Sequence, residues 1–340
     1  MTRVLEVRLN RSWPKTSWQS VPVVAAISGG ADSVALLRCM HSLRDAAQGT
    51  LVAAHFNHQL HDNSSSAAQF VEDLCAKLQI PCEVGVPREA LTSQSGGSLE
   101  EAARIARYGF LVEIAKQVGA RYIATAHTAD DQAETILHRI VRGTGIRGLG
   151  GIPVSRVVAP NITLKRPLLD VQRAEIIEYL AELRQPFHQD PTNSDELFTR
   201  NRIRHGLLPM LRQHYNSQVD ESLRRLGSLA AEMSDFIESI ASEQFSRCVS
   251  LSEHKIAINL EVATSIPPLV LRTIFRQIWR AQGWPECDMT FERWHELEAI
   301  VHSPDAPDAA MVRIFPSSIR VIRQGAELII ESQGQPTCWP

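Results

Sequence analysis

Residues 21–40 read VPVVAAISGGADSVALLRCM. The apolar run Val23 to Ile27 predicts a buried parallel strand. Ser28-Gly29-Gly30 breaks it. Val34, Leu37 and Met40 then recur at helical spacing. The segment therefore reads as strand, small-residue turn, helix. Such a turn leaves backbone N–H groups free at a helix N-terminus, where a phosphate can sit. Two glycines let the backbone come close to it, and the Ser28 and Ser33 hydroxyls add donors. No Gly-Lys-Ser/Thr follows, so this is not the loop that reaches the β- and γ-phosphates with a lysine. Asp32 beside bound phosphates makes chemical sense as a magnesium ligand.

Working outward, the 340 residues suffice for two domains. A hydrophobic share of 44% with 21% charged residues fits a globular chain. The start, MTRVLEVRLNRSWPK, carries charges throughout and does not read as a secretory signal. No run reaches membrane-spanning length. The six cysteines form no CxxC pair, which argues against a zinc or iron–sulfur site and for free thiols in a reducing cytoplasm. A net charge of −3 means that any nucleic-acid binding comes from a local patch.

TLVAAHF (50–56) predicts a second strand, running into Asn57-His58-Gln59-Leu60-His61. Three close histidines admit a metal, but no acidic or cysteine cluster joins them. Ala67 to Leu78 predicts an amphipathic helix and Pro81 to Val86 a third strand. Ser98 and Glu101 form a capping box for a helix to Val118, after the polar loop TSQSGG. Its expected buried side is Ala102, Ile105, Ala106, Leu111 and Ile114. Arg104 and Tyr108 share a face. RYIATA (121–126) predicts a fourth strand.

His127 follows, then Thr128-Ala129-Asp130-Asp131-Gln132-Ala133-Glu134. Thr128 suits an N-cap, and one acidic residue in the first turn suits the macrodipole. Three repel one another. Asp130, Asp131 and Glu134 thus call for a cation, either magnesium or an ammonium group. From Ile136 to Leu169 there are six Lys or Arg residues and no Asp or Glu. Arg142 precedes, and Arg147 lies within, a glycine-rich stretch, GTGIRGLGG (143–151), which reads as a mobile cationic loop suited to a polyanion. FTRNRIRHGLLPML (198–211) holds Arg200, Arg202 and Arg204, with Arg200 and Arg204 four apart on one face. A break near Asn216 precedes a long helix to Phe245, apolar at Leu223, Leu226, Leu229, Met233, Phe236 and Ile240. Helices near 269–282 and 291–302 and a β hairpin or meander at 311–330 follow.

SGGADS resembles the PP-loop signature of ATP pyrophosphatases. Together with AHFNHQL, EEAARIARYGFL, AHTADDQAETILHRIVRGTGIRGLGGIP and DPTN…FTRNRIRHGLLPML, it resembles the tRNA(Ile)-lysidine synthases over residues 21–215. The resemblance implies an α/β fold, a doubly wound parallel sheet of about five strands (1–215), and a mainly helical tRNA-binding domain with a short β element (216–340). It implies a cytoplasmic ligase that uses ATP with Mg2+ to join L-lysine to C2 of the wobble cytidine of the CAU-anticodon tRNA(Ile), through an adenylated intermediate. It admits a homodimer. Ser28, Gly29, Gly30, Ala31, Asp32 and Ser33 would bind ATP. Asp32 and Asp130 would hold magnesium. Asp131 and Glu134 would recognise lysine and, second, remove a proton, with His127 at the adenylylation site by position. Arg104, Arg142, Arg147, Arg202 and Arg204 are the tRNA candidates. The sequence departs from the family at His61, where arginine is common, and it is shorter than members with a further C-terminal domain. The alternatives are another PP-loop AMP-forming enzyme (a tRNA thiolase or a small-molecule amide ligase) and a non-catalytic tRNA-binding module.

Overall fold

Alternation along the first strands explains the layering. In β1 (Val23–Ala26), Val23 and Ala25 join one core and Val24 the other. Successive side chains of a strand point to opposite faces, so a strand buried on both is apolar throughout. The computed structural model describes residues 3–44, 49–59, 64–87, 99–188, 199–252, 255–303 and 311–332. The expected features at Ser98, His61, 92–97 and 190–193 lie outside them.

The chain divides into two compact units, Met1–Ala230 and Ala231–Pro340. The first runs α1 (Val4–Ser12), β1, α2 (Ala31–Leu43), β2 (Leu51–Phe56), α3 (Ser64–Leu78), β3 (Cys82–Gly85), α4 (Leu99–Gln117), β4 (Tyr122–Ala124), α5 (Ala129–Arg142), α6 (Ile146–Leu149), β5 (Ser155–Ala159), β6 (Ile162–Lys165), α7 (Arg173–Glu182), α8 (Thr199–Arg202) and α9 (Leu208–His214). Between α8 and α9, Ile203–Leu207 forms a π turn. α10 (Val219–Cys248) passes through the division.

The strand order is β3-β2-β1-β4-β6-β5. The first five of these pair in parallel, and β5 adds an antiparallel edge that the sequence reading did not anticipate. Residues of α1, α2, α3 and α7 pack on one face and α4 covers the other. Chain order reverses between β1 and β4, with β2 on one side and β4 on the other. Open α/β sheets bind ligands at such a reversal, beyond the carboxyl ends of the strands. Both SGGADS and the acidic stretch leave strands at that edge.

Two helix faces differ from expectation. Ile105 is 63% exposed, because the buried row of α4 runs through Ala103, Leu111, Ile114 and Ala115. On α10, Leu226, Leu229, Met233 and Phe236 are exposed. The helix instead buries its small side, Leu223, Gly227 and Ala230. A Cβ on Gly227 would lie 2.5 Å from Ile136 Cδ1 and 3.2 Å from the Leu149 carbonyl. Close helix approach, not hydrophobicity alone, sets the rotation of α10 there.

The second unit continues with β7 (Val249–Leu251), β8 (Ile256–Asn259), α11 (Leu260–Ala263), α12 (Pro268–Ala281), α13 (Phe291–His302), β9 (Met311–Phe315), β10 (Ile319–Gln324) and β11 (Glu327–Ser332). The β hairpin or meander expected at 311–330 is part of a five-stranded antiparallel sheet, β7-β8-β11-β10-β9. Trp279 packs edge-on to Trp284 and Trp294, with ring centroids 5.1 and 5.3 Å apart, at the centre of its core.

Candidate active site at the sheet reversal

The elbow after β1 is built mainly from its own residues, with one outside bond, from His188 N to the Gly29 carbonyl at 2.9 Å. Gly29 adopts φ +90°, a conformation that side-chain-bearing residues avoid. Ser33 Oγ accepts from Ser28 N (3.1 Å) and donates to the Gly30 carbonyl (2.9 Å). Ser28 Oγ accepts from Gly30 N at 3.3 Å. The two serines thus shape the turn as well as offering hydroxyls. Gly30 caps α2, and the first helical bond is Val34 N to Gly30 O, 3.0 Å. The N–H groups of Ala31, Asp32 and Ser33 have no acceptor within the helix, which makes the elbow a ready anion cradle.

Asp32 stands in that first turn. Its Oδ2 accepts from Arg173 Nη1 at 3.0 Å, while Oδ1 is buried without a partner. Burial raises its pKa to about 6; Arg173 and Arg204 pull it down, and Asp131 and Asp130 push it up. Arg173 is the first residue of α7, and its own N–H donates to Asp130 Oδ2 at 2.9 Å. One arginine therefore ties the elbow to α5. A cation in the first turn opposes the helix dipole, and that oddity was the sequence signal for Arg173, which the sequence reading passed over. The orphaned Asp32 oxygen and the nearby Asp130 suit a magnesium ion that arrives on a nucleotide, since that ion commonly takes one or two carboxylates plus phosphates. Among the described residues no three His, Cys, Asp or Glu side chains gather as a metal cage. His55 instead bonds the Ile27 carbonyl through Nδ1 at 2.8 Å, and His58 packs edge-on to Phe56.

The acidic stretch resolves into three separate tasks. Asp130 takes the N-terminus of α7. Asp131 makes the capping box with Thr128: its Oδ2 accepts from Thr128 N at 2.9 Å and from Thr128 Oγ1 at 3.1 Å. Its Oδ1 accepts from Arg200 Nη2 (2.7 Å) and Arg204 Nη2 (3.1 Å). Glu134 is 2% exposed and holds the same two arginines, with Arg200 Nε at 3.1 Å and Arg204 Nη2 at 3.0 Å on Oε2, and Arg204 Nε on Oε1. The cation demanded by the crowded carboxylates is supplied here by two guanidinium groups. Burial would raise the Asp131 pKa, yet Arg200, the Thr128 N–H, His127 and Arg204 bring it below the ordinary value. Arg204, read as a tRNA contact, faces inward. Its partner Arg200 was visible in the sequence only through the four-residue spacing.

His127 lies between. Its Nδ1 is 3.1 Å from Thr125 Oγ1. Burial lowers its pKa to about 3, against Asp131 and with help from Arg166, Arg200 and Arg107. It is a neutral hydrogen-bonding group, not a proton carrier near pH 7. Arg104 lies over the Tyr108 ring, 5.1 Å from its centroid. Arg142, Arg147 and Arg202 are exposed, the last donating to Thr199 Oγ1 at 3.0 Å.

The glycine-rich loop, expected to be mobile, is held by side chains over its second half. Gln132 Nε2 donates to the Ile152 carbonyl at 3.2 Å, and Gln132 Oε1 accepts from Ile152 N at 2.6 Å. Arg139 Nη1 donates to the Gly148 and Gly151 carbonyls at 2.8 and 2.7 Å. Arg166, 4% exposed, donates to the Pro153 carbonyl at 2.6 Å. The second half of the loop is thereby fixed to α5 and β6.

The sequence matches the PP-loop domain family over residues 2–211. It is 32% identical to a tRNA(Ile)-lysidine synthase of Rhodopirellula baltica, covering 96% of this chain and 94% of that protein. It is 38% identical to the enzyme of the same name from Bacillus cereus over 72% of this chain, and spans 50% of that longer protein. The counterpart from Clostridioides difficile is 33% identical over 92% of this chain and 66% of its own length. The chain thus spans about half to two thirds of several curated relatives. Among solved structures, the U34-tRNA thiolase NcsA of Methanococcus maripaludis shares the fold, with a TM-score of 0.56 at 15% identity, covering 67% of this chain and 77% of that one.

Proposed function

Because the chain belongs to the tRNA(Ile)-lysidine synthases, a family of PP-loop proteins, we propose that it lysylates the wobble cytidine of a CAU-anticodon isoleucine tRNA. The observation that carries this reading is the Arg173 bridge. It ties the anion cradle, at Asp32, to Asp130, the residue before the acidic pair Asp131 and Glu134 on the same helix. A ligase that activates with ATP and then admits an amine needs both in reach of one atom.

In the first step the C2 oxygen of cytidine attacks the α-phosphorus and pyrophosphate leaves. The N–H groups at Gly29 to Ser33 would hold the departing phosphates. Magnesium, held by Asp32 and Asp130, would offset their charge. In the second step the ε-nitrogen of lysine bonds to C2, AMP departs with the oxygen, and the amine gives up its extra protons. Asp131 and Glu134 recognise the ammonium in the position that Arg200 and Arg204 fill in this structure. Asp131, kept ionised by its neighbours, binds an ammonium well and is a weak base, so recognition ranks above proton removal. His127, held neutral, donates or accepts a hydrogen bond at the adenylylated base without changing charge. Arg104, Arg142, Arg147 and Arg202 contact RNA phosphates, and residues 216–340 take the body of the tRNA. Among the described residues no helix is long and apolar enough to cross a membrane, and the setting proposed is the cytoplasm.

The test is incubation with a CAU-anticodon transcript, ATP, magnesium and labelled lysine. Label in RNA, with AMP and pyrophosphate released, is the expected result. Label that stays soluble while AMP accumulates would point to a small-molecule ligase and sink the proposal. So would tRNA binding with no AMP at all.

A further inference from the structure

Gln132 sits in the helix between Asp131 and Glu134 but faces away from the arginines that those carboxylates hold. Its amide reads the residue that directly follows the glycine-rich loop on both sides: the carbonyl of Ile152 takes Nε2 at 3.2 Å and the N–H of Ile152 gives to Oε1 at 2.6 Å. This is the pairing a neighbouring strand would make. A second donor contact reaches the Gly150 carbonyl at 3.4 Å. Gly151 has φ +69°, and a Cβ there would lie 2.5 Å from Gln132 Oε1. The approach is therefore available to glycine alone. Arg139 is seven residues further on, hence on the same helix face, and it holds the Gly148 and Gly151 carbonyls.

The other half of the loop lacks such anchors among the described residues. Gly143, with φ +79°, ends α5, and Arg142, Gly143, Thr144, Gly145 and Arg147 are all exposed. The loop is thus an arm with a fixed root and a cationic tip. Its root is bolted to the same helix that carries the acidic pair.

We infer that Gln132 is a positioning residue: it sets the glycine-rich arm against α5, so that RNA gripped by Arg147 on the arm and by Arg142 at the end of α5 is registered to the carboxylates one residue before and two residues after the glutamine. This deepens the function proposed above and rests on it. Backbone carbonyls and N–H groups take little part in sequence-specific RNA recognition from a flexible tether, but a rigid arm fixes where a bound phosphate lies. A misplacement of about 1 Å from a residue outside the chemistry can cost a hundredfold in rate.

The variant Gln132→Met keeps the volume and loses every hydrogen bond. Two measurements on the full chain separate positioning from filling space. In limited trypsin digestion, cleavage after Arg142 and Arg147 should quicken at least threefold in the variant, with an unchanged melting temperature. In steady-state lysine incorporation, KM for tRNA should rise at least fivefold while KM for ATP stays within twofold. Gln132→Glu, which keeps the acceptor for Ile152 N and sets a carboxylate against two carbonyls, should rescue neither. Unchanged digestion and unchanged KM for tRNA would overturn the inference. A fall in melting temperature with all Michaelis constants rising together would also overturn it, in favour of a merely structural role. If the wild-type protein itself incorporates no lysine, the functional reading fails, and the digestion comparison still decides whether Gln132 anchors the arm.

Discussion

The elbow after β1 and the acidic pair on α5 occupy neighbouring strand ends and are stabilised in opposite ways. The elbow closes largely on itself: its serine bonds join residues no more than five apart, and one distant bond, from His188 N to the Gly29 carbonyl at 2.9 Å, is added. The acidic pair closes at long range, through arginines 66 to 73 residues away. Their carboxylates diverge accordingly. Asp32 is half-hidden with one exposed arginine and rises to about 6, whereas Asp131 meets two guanidinium groups and a backbone N–H and falls. Two carboxyl groups at one edge thus sit in opposite electrostatic settings, one raised by burial and one lowered by its neighbours.

The largest break in this contrast should come from Asp32→Asn. AMP formation should fall about a thousandfold, the scale of losing several kcal/mol of charge stabilisation. Folding should move the other way. The folded-state pKa of Asp32 is above its ordinary 3.8, so the folded chain binds the proton more tightly, and stability drains away as pH climbs from about 4 through about 6. The asparagine variant should therefore be more stable than wild type at pH 7, by on the order of 2 kcal/mol, and no more stable at pH 3.5. Urea midpoints at the two pH values check the sign. An activity loss accompanied by a stability loss at pH 7 would mean that the Arg173 contact outweighs burial.

Next is Glu134→Gln. It sets a buried amide against two guanidinium groups and leaves them only the Asp131 carboxylate, and should cost roughly 3 kcal/mol, the low end for breaking a buried pair because both arginines reach solvent and keep that partner. Denaturant titration measures it, and a loss under about 1 kcal/mol would show the network to be surface-like. The elbow should yield less. Gly29→Ala forces a side chain onto φ +90°, with His188 Cβ and Val71 Cγ2 each 3.5 Å from the new carbon; about 1–2 kcal/mol is expected from the backbone alone. The adjacent Gly30→Ala should be smallest, about 0.5 kcal/mol, since its backbone is ordinary (φ −71°) and the new carbon meets only Ser28 Oγ at 3.5 Å. Equal melting shifts for the two glycines would refute the account of the turn.

The same contrast explains what could be read in advance. The strand–turn–helix, the acidic cluster and the arginine spacing are local patterns, and local patterns survive in one dimension. The elbow was legible nearly whole for that reason. That Glu134 has Arg200 and Arg204 as partners was not, because spacing shows that two arginines share a face and not what faces them. Gln132 carried no local signal. Neither did β5, whose antiparallel pairing with β6 arises from the chain doubling back at Pro160 and Asn161. The exposed Leu226 and Leu229 misled because apolar spacing reports a stripe, whereas burial followed the smaller side chains at Gly227 and Ala230.

The π turn at Ile203–Leu207 has a consequence for what the basic segment tolerates. Arg204 at its start, and Arg200 upstream, address Glu134; downstream, Arg212 grips Asp220 through Nε and Nη2, at 2.6 and 2.7 Å. One surplus residue in the coil lets those two sets of arginines keep different compass bearings. Deleting a single residue there would let the coil rewind to regular pitch with both sets nearly in place, whereas inserting one into the regular helix beyond it would swing everything after it by about 100°. A one-residue insertion would then be felt more keenly than most substitutions.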